Sequence, residues 1–251
     1  MKTIKAGAKI TVAFRAMPKT LYSQIRGKPY PAKMTFYLPK NYSPEKKFPL
    51  ILWNSGGDGH KGTDLRYPLK LTRGMNVVCL TLPLFKRDLE PLKTDKSNYW
   101  SRMILNDRNT AATTWKCYKI MLEKFFSLVP NIDMEKTFMG GFSNGANVTA
   151  LLLDRPRSEI LVFFNHFFFM EGGTLFSRIK TLRKRDLLVL FGNRHDWGRK
   201  TEAVIGKNVK RLVSRSRARG VNCESFIGKG LGHVIAPVFT RRLKKWIRER
   251  I

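Results

Sequence analysis

Acidic residues are scarce in this chain: 18 Asp and Glu stand against 48 Lys and Arg, a formal net charge of +30 over 251 residues. The excess gathers at the two ends, with eleven basic residues and one acidic in residues 1–48, and 21 basic and five acidic in residues 178–251. Such a field attracts polyanions such as nucleic acid, anionic lipid or acidic polysaccharide. The same imbalance also describes a solvated basic surface, so no obligate nucleic-acid partner follows from it. Cysteine is scarce too: Cys79, Cys117 and Cys223 are too few and too scattered for a disulfide framework or a zinc ribbon. Cys79 and Cys117 fall in apolar segments and read as buried small hydrophobes. Apolar runs are short, and none approaches the roughly 18 residues of a membrane-crossing helix. The opening MKTIKAGAKITVAFRAMPK is broken by Lys9 and Arg15, so it lacks a secretory apolar core. The expectation is a cytoplasmic protein, or a secreted one if the chain is a mature form. No internal repeat or low-complexity linker divides the sequence, which predicts one domain over residues 1–251 and leaves the oligomeric state open.

What is present is an alternation of two periods. KITVAF and KMTFYL, separated by a Pro- and Gly-bearing stretch at 18–31, suit an antiparallel strand pair at a sheet edge within residues 1–47. Continuous apolar runs follow at 48–53 (FPLILW), 75–82 (MNVVCLTL), 136–142 (KTFMGGF), 159–164 (EILVFF), 186–191 (DLLVLF) and, more weakly, 222–227 (NCESFI). Runs of this kind belong in a parallel sheet covered on both faces. Between them lie helical spacings: Tyr118, Met121, Leu122, Phe125, Phe126 and Val129; Ile205, Val209, Leu212 and Val213; Phe239, Leu243, Trp246 and Ile247, with Pro237 where a helix begins. The predicted class is α/β: a mostly parallel central sheet with antiparallel amino-terminal edge strands and helices on both faces. Its ligand site should lie at the carboxyl ends of the strands. Only about 20 residues join the FFNHFFF strand region to DLLVLF, which leaves little room for a large lid.

Two segments invite a phosphate-loop reading. In SGGDGHKGT, from Ser55 to Thr63, Lys61 and Gly62 are transposed relative to a Gly-x4-Gly-Lys-Ser/Thr loop. GKGLG, ahead of His233, lacks the G-x-G-x-x-G spacing. Neither stands as a nucleotide site. Gly141-Phe142-Ser143-Asn144-Gly145, by contrast, is a G-x-S-x-G run between a predicted strand and the helical ANVTALLL. A nucleophile elbow requires this context, because small neighbours permit the sharp turn that lifts the serine hydroxyl out of the sheet. A nucleophilic serine needs a base, and the base a carboxylate. Asp196, in GNRHDWG beyond DLLVLF, and His233, in GKGLGHVIAP beyond NCESFI, complete the order Ser143, Asp196, His233. Glu171, after the FFNHFFF strand, is the second candidate for the acid, and Asp186 precedes its strand at the wrong end of the sheet. His166 reads as a packed residue on or after a core strand, and His195 as a loop neighbour of the acid. An oxyanion needs preorganised N–H donors. Asn144 supplies one as the residue after the nucleophile, and Gly56 or Gly57 in the Asn54-Ser55-Gly56-Gly57 loop supplies the other. Ser55, His60 and Trp197 are candidate substrate contacts. Phe167–Met170 form either an apolar wall to the site or ordinary core.

YLPKNYSPEKKFPLILWNSGGDG, NIDMEKTFMGGFSNGA and the Asp196 and GLGH blocks together resemble an α/β-hydrolase, over nearly the whole chain from about residue 30. The likeness is to the esterase branch of polyhydroxybutyrate-depolymerase-like, feruloyl-esterase-like and dienelactone-hydrolase-like proteins. Many such relatives carry His-Gly where this chain has Asn54-Ser55. The resemblance implies hydrolysis of a carboxylic ester through a Ser-His-Asp triad and an acyl-enzyme, on bulky or anionic carbohydrate or polyester substrates, with no metal or cofactor. The alternatives are a peptidase of prolyl-oligopeptidase type, which the lack of a propeller-sized amino-terminal domain disfavours, and a non-catalytic polyanion-binding module on the same fold.

Overall fold

The computed structural model describes residues 4–15, 32–57, 64–85, 108–154, 158–173, 182, 184–194 and 199–251. An antiparallel pair, β1 (Lys9–Phe14) and β2 (Ala32–Tyr37), opens the chain with Lys9 opposite Tyr37. The strands β3 (Phe48–Asn54), β4 (Val78–Thr81), β5 (Ile132–Phe142), β6 (His166–Met170), β7 (Asp186–Gly192) and β8 (Asn222–Gly228) follow. Among the described residues these eight form one sheet in the order β1-β2-β4-β3-β5-β6-β7-β8. β2 joins β4 antiparallel, and every later pairing is parallel. The expected edge pair and parallel centre are therefore both present.

Four of the described helices lie where helical stretches were expected, and a fifth, the short one after β3, was not foreseen. These are α1 (Arg66–Leu71), α2 (Arg108–Leu128), α3 (Asn144–Leu153), α4 (Arg199–Arg217) and α5 (Pro237–Arg248). The sheet separates two cores. Leu50 and Leu52 of β3 face Tyr118, Met121, Ala146 and Val209 from α2, α3 and α4. Ile51 and Trp53, one residue out of phase, face Leu71 of α1 and Phe239, Leu243 and Trp246 of α5. Burying both faces is why the central strands read as unbroken apolar runs.

The expectation of a strand at EILVFF is corrected. Glu159–Val162 is a single tight helical turn, and the strand begins at His166. Ile160 and Phe164 reach the core, whereas Val162 is 73% exposed, which a central strand forbids; Phe167–Met170 are fully buried. Of the two readings of Phe167–Met170, full burial favours ordinary core over a wall to the site. Cys79, Cys117 and Cys223 are buried thiols, and burial pushes the first two up to about 12 and the third to about 11. They are inert packing residues.

The chain leaves β3 toward β4 and returns on the other side to β5. At such a reversal the carboxyl ends of two strands open a crevice. The end of β3 carries Asn54-Ser55-Gly56-Gly57, and the end of β5 carries Ser143.

Candidate active site

Ser143 joins β5 directly to α3 with φ 54° and ψ −119°, a left-handed conformation that a non-glycine residue holds only under strain. Its neighbours make the turn fit. A Cβ on Gly141 would come within 2.1 Å of the Asn54 carbonyl oxygen, and one on Gly145 within 1.9 Å of the same atom. Both glycines of the motif are thus required by close backbone approach to the end of β3. Gly56 in turn packs on the elbow, where a Cβ would meet the Phe142 ring at 2.8 Å. Asn144 Nδ2 donates to the Gly57 carbonyl at 3.0 Å, so the loop after β3 is tied to the first residue of α3. That residue's own N–H belongs to the first turn of a helix, where no intrahelical acceptor exists. The helix N-terminus favours negative charge beside it.

Asn54 faces away from this crevice. It is fully buried; its Nδ2 donates to Thr149 Oγ1 at 3.0 Å, and its Oδ1 accepts from the Tyr118 hydroxyl at 2.9 Å. Burial pushes the Tyr118 phenol well above its ordinary range and keeps it protonated as the donor. The Thr149 hydroxyl continues to the Gly145 carbonyl at 2.9 Å. The side chain is thus a strut between α2, β3 and α3 beneath the elbow.

His233 sits in the loop between β8 and α5. Leu231 O accepts from Arg194 N at 2.9 Å, and Gly230 N donates to Asn193 Oδ1 at 2.6 Å. A Cβ on Gly192 would meet Leu231 O at 2.2 Å. Gly192 therefore lets this loop pack closely on the end of β7, while Gly230, at φ 72°, has open space around it and turns the backbone. The imidazole is about a third exposed, stands beside the Phe142 ring at 5.0 Å between centroids, and places Nε2 2.9 Å from Ser143 Oγ. Its Nδ1 faces Glu171 Oε2 at 3.6 Å.

Among solved structures, the chain is similar to the Bacillus cereus carboxylesterase (15% identity, 87% of this chain and 94% of that one, TM-score 0.57). It is similar to a ferulic acid esterase from Anaeromyces mucronatus (12% identity, 100% and 93%, TM-score 0.57). It also matches a dipeptidyl aminopeptidase IV-like chain from Bacteroides ovatus (16% identity, TM-score 0.59), of which it covers 36%. The fold is that of the α/β-hydrolases. No family model matches the chain, and no curated protein does. Structural likeness at these TM-scores shows the α/β-hydrolase fold, and identities this low leave the chemistry to the site.

Of the residues read from the sequence, Ser143, Asn144, Gly56, Gly57 and the largely buried Ser55 converge at the α/β-hydrolase crevice, and His233 reaches Ser143 from the far side. Asp196, Trp197 and His60 lie outside the described residues. Tyr118 was read from the sequence only as part of an apolar helix face, and Thr149 and Asn147 were not singled out. Asn147 accepts the Gly173 N–H at 2.6 Å and so holds the turn after β6. Their only signal was a polar residue on an otherwise apolar helix face.

Proposed function

We propose that this α/β-hydrolase fold houses a serine hydrolase acting on carboxylic esters. The observation that carries the reading is the 2.9 Å contact between His233 Nε2 and the hydroxyl of Ser143 at a strained strand-to-helix turn. Ser143 Oγ attacks the ester carbonyl carbon as His233 Nε2 takes its proton. The oxyanion is met by the Asn144 N–H and by an N–H of the Gly56-Gly57 segment, where preorganised donors stabilise charge as it develops. His233 returns the proton to the departing alkoxide, leaving an acyl-enzyme. A water deprotonated by the same imidazole then attacks the acyl carbon, and Ser143 is released with its proton. The ring must be held by a carboxylate at Nδ1, for which Asp196 and Glu171 are the two candidates.

A fluorophosphonate probe tests the reading, because it bonds only to an activated serine. The expected result is one-to-one labelling of the folded protein, with turnover of p-nitrophenyl esters, both abolished in Ser143→Ala. Folded protein that neither labels nor turns over would sink the proposal and favour a binding role for the fold. Turnover of peptide amides in preference to esters would favour the peptidase reading.

A further inference from the structure

We infer that Glu171, leaving the sheet after β6, is the positioning carboxylate for His233, in place of Asp196 beyond β7; this rests on the serine-hydrolase reading above. Glu171 Oε1 already accepts the Gly192 N–H at 2.5 Å. Its Oε2 is buried and has no hydrogen-bond partner among the described residues, and the side chain is 0% exposed. A buried carboxylate oxygen without a donor is costly. The group facing it is His233 Nδ1 at 3.6 Å, an ion-pair separation that a small movement of the loop closes to a hydrogen bond. On the opposite side of the same ring Nε2 meets Ser143 Oγ at 2.9 Å. The serine, the imidazole and Glu171 therefore stand in the order that proton transfer requires.

The backbone is built to aim this residue. Glu171 has φ 53°, a left-handed conformation that a non-glycine residue holds only under strain. It is pinned on one side by its N–H to Leu190 O at 2.9 Å. On the other, Gly172 lies so close to the elbow that a Cβ would meet the Ser143 carbonyl oxygen at 2.3 Å. Gly173, at φ 81°, donates to Asn147 in α3. A glutamate needed only to hold the Gly192 N–H would use one oxygen, and the second would not be left facing an imidazole. As a carboxylate it fixes the Nδ1–H tautomer, so that the Nε2 lone pair faces the serine, and it stabilises the imidazolium formed on proton transfer.

The test compares Glu171→Gln, Glu171→Asp and Asp196→Asn in the full chain, reading kcat, KM and the pH profile of kcat/KM on a p-nitrophenyl ester. Glu171→Gln is expected to lower kcat by about 10²–10⁴-fold with little change in KM. It should also move the acidic limb of the profile to lower pH, since the imidazolium has lost its anion. Glu171→Asp should recover part of both, and Asp196→Asn should cost less and leave the limb in place. A merely structural glutamate would lower the thermal midpoint without moving the limb. If Glu171→Gln does not fold, Glu171→Asp and Asp196→Asn carry the comparison. The downfield proton resonance of His233 Nδ1–H is a readout independent of turnover, expected in the wild type, lost in Glu171→Gln and kept in Asp196→Asn. Loss of ester turnover in the wild type with this pattern intact would refute the hydrolase and not the pairing. A limb or resonance that moves with Asp196→Asn and not with the Glu171 variants overturns the inference.

Discussion

At the scale of single residues, the site is held by polar atoms that substrate never meets. Asn54, at the end of β3, has an amide that spans Tyr118 and Thr149 in a fully buried position. Asn54→Ala leaves the Tyr118 hydroxyl without an acceptor in the core, which costs about 1–3 kcal/mol beyond the lost packing. Tyr118→Phe leaves Asn54 Oδ1 without its donor at a similar cost. Because the two changes remove one interaction, the double variant should be less destabilised than the two single losses added together. Urea unfolding of the four proteins checks this, and strict additivity would mean that the bond contributes nothing. The serine motif was legible because two glycines and a strand-to-helix switch have one common geometric use. The strut was not, since an asparagine at a strand end carries no sign of which way its side chain turns. Glu171 was visible only as a second choice, for its carboxylate is distinguished by a backbone twist that the following glycine pair permits but does not announce.

At the scale of elements, helical spacing located four of the described helices, missed the six-residue turn of α1 and misplaced one strand. EILVFF and HFFFM are equally apolar, and the choice between them depends on which the neighbouring strands bury, a tertiary matter. The amino end of the chosen strand carries a second polar cluster, remote from Ser143. His166 Nδ1 meets Asp186 Oδ2 at 3.0 Å, and Arg250 Nε donates to the same oxygen at 2.8 Å, so β6, β7 and the tail of α5 are clasped together. Arg250 also lies 4.3 Å over the Trp246 ring and pairs with Glu224 of β8 at 2.9 Å. Burial lowers the His166 pKa below its ordinary 6.5, outweighing the attraction of Asp186. Asp186 is pushed up by burial, but hydrogen bonds from Arg250 and Asn222 bring it below its ordinary 3.8. In both cases the unfolded chain binds more protons than the folded one. Stability is therefore fully present above pH 6.5 for His166 and above 3.8 for Asp186, and is lost as pH falls below each. Denaturant midpoints should thus decline in two stages on acidification. His166→Asn should remove the first stage relative to the wild type, and an unchanged difference curve between pH 7 and about 5 would assign that stage elsewhere.

At the scale of the whole molecule, the dominant fact is a charge of +30, and its consequence depends on distance. The Ser143–His233 contact is short and half-sheltered, so salt screens it little, and the chemical step should be indifferent to ionic strength. The surface is otherwise: α5 presents Arg241, Arg242, Lys245 and Arg248 to solvent, and α4 presents Lys207, Lys210, Arg211 and Arg217. These two helices flank β7 and β8, the strands whose loops carry His233 and its supports. A field of one sign on a protein surface concentrates substrate of the opposite charge and raises its encounter rate, within a Debye length of about 10 Å at 0.1 M salt. An ester carrying a carboxylate on its acyl or alcohol part should therefore lose kcat/KM as salt rises from about 0.02 to about 0.5 M, whereas its neutral isostere holds steady. The loss should appear in KM and leave kcat in place, because steering acts before chemistry. Equal salt profiles for the two esters would detach the charge from substrate selection, and a fall shared by both in kcat would locate the effect in the fold itself.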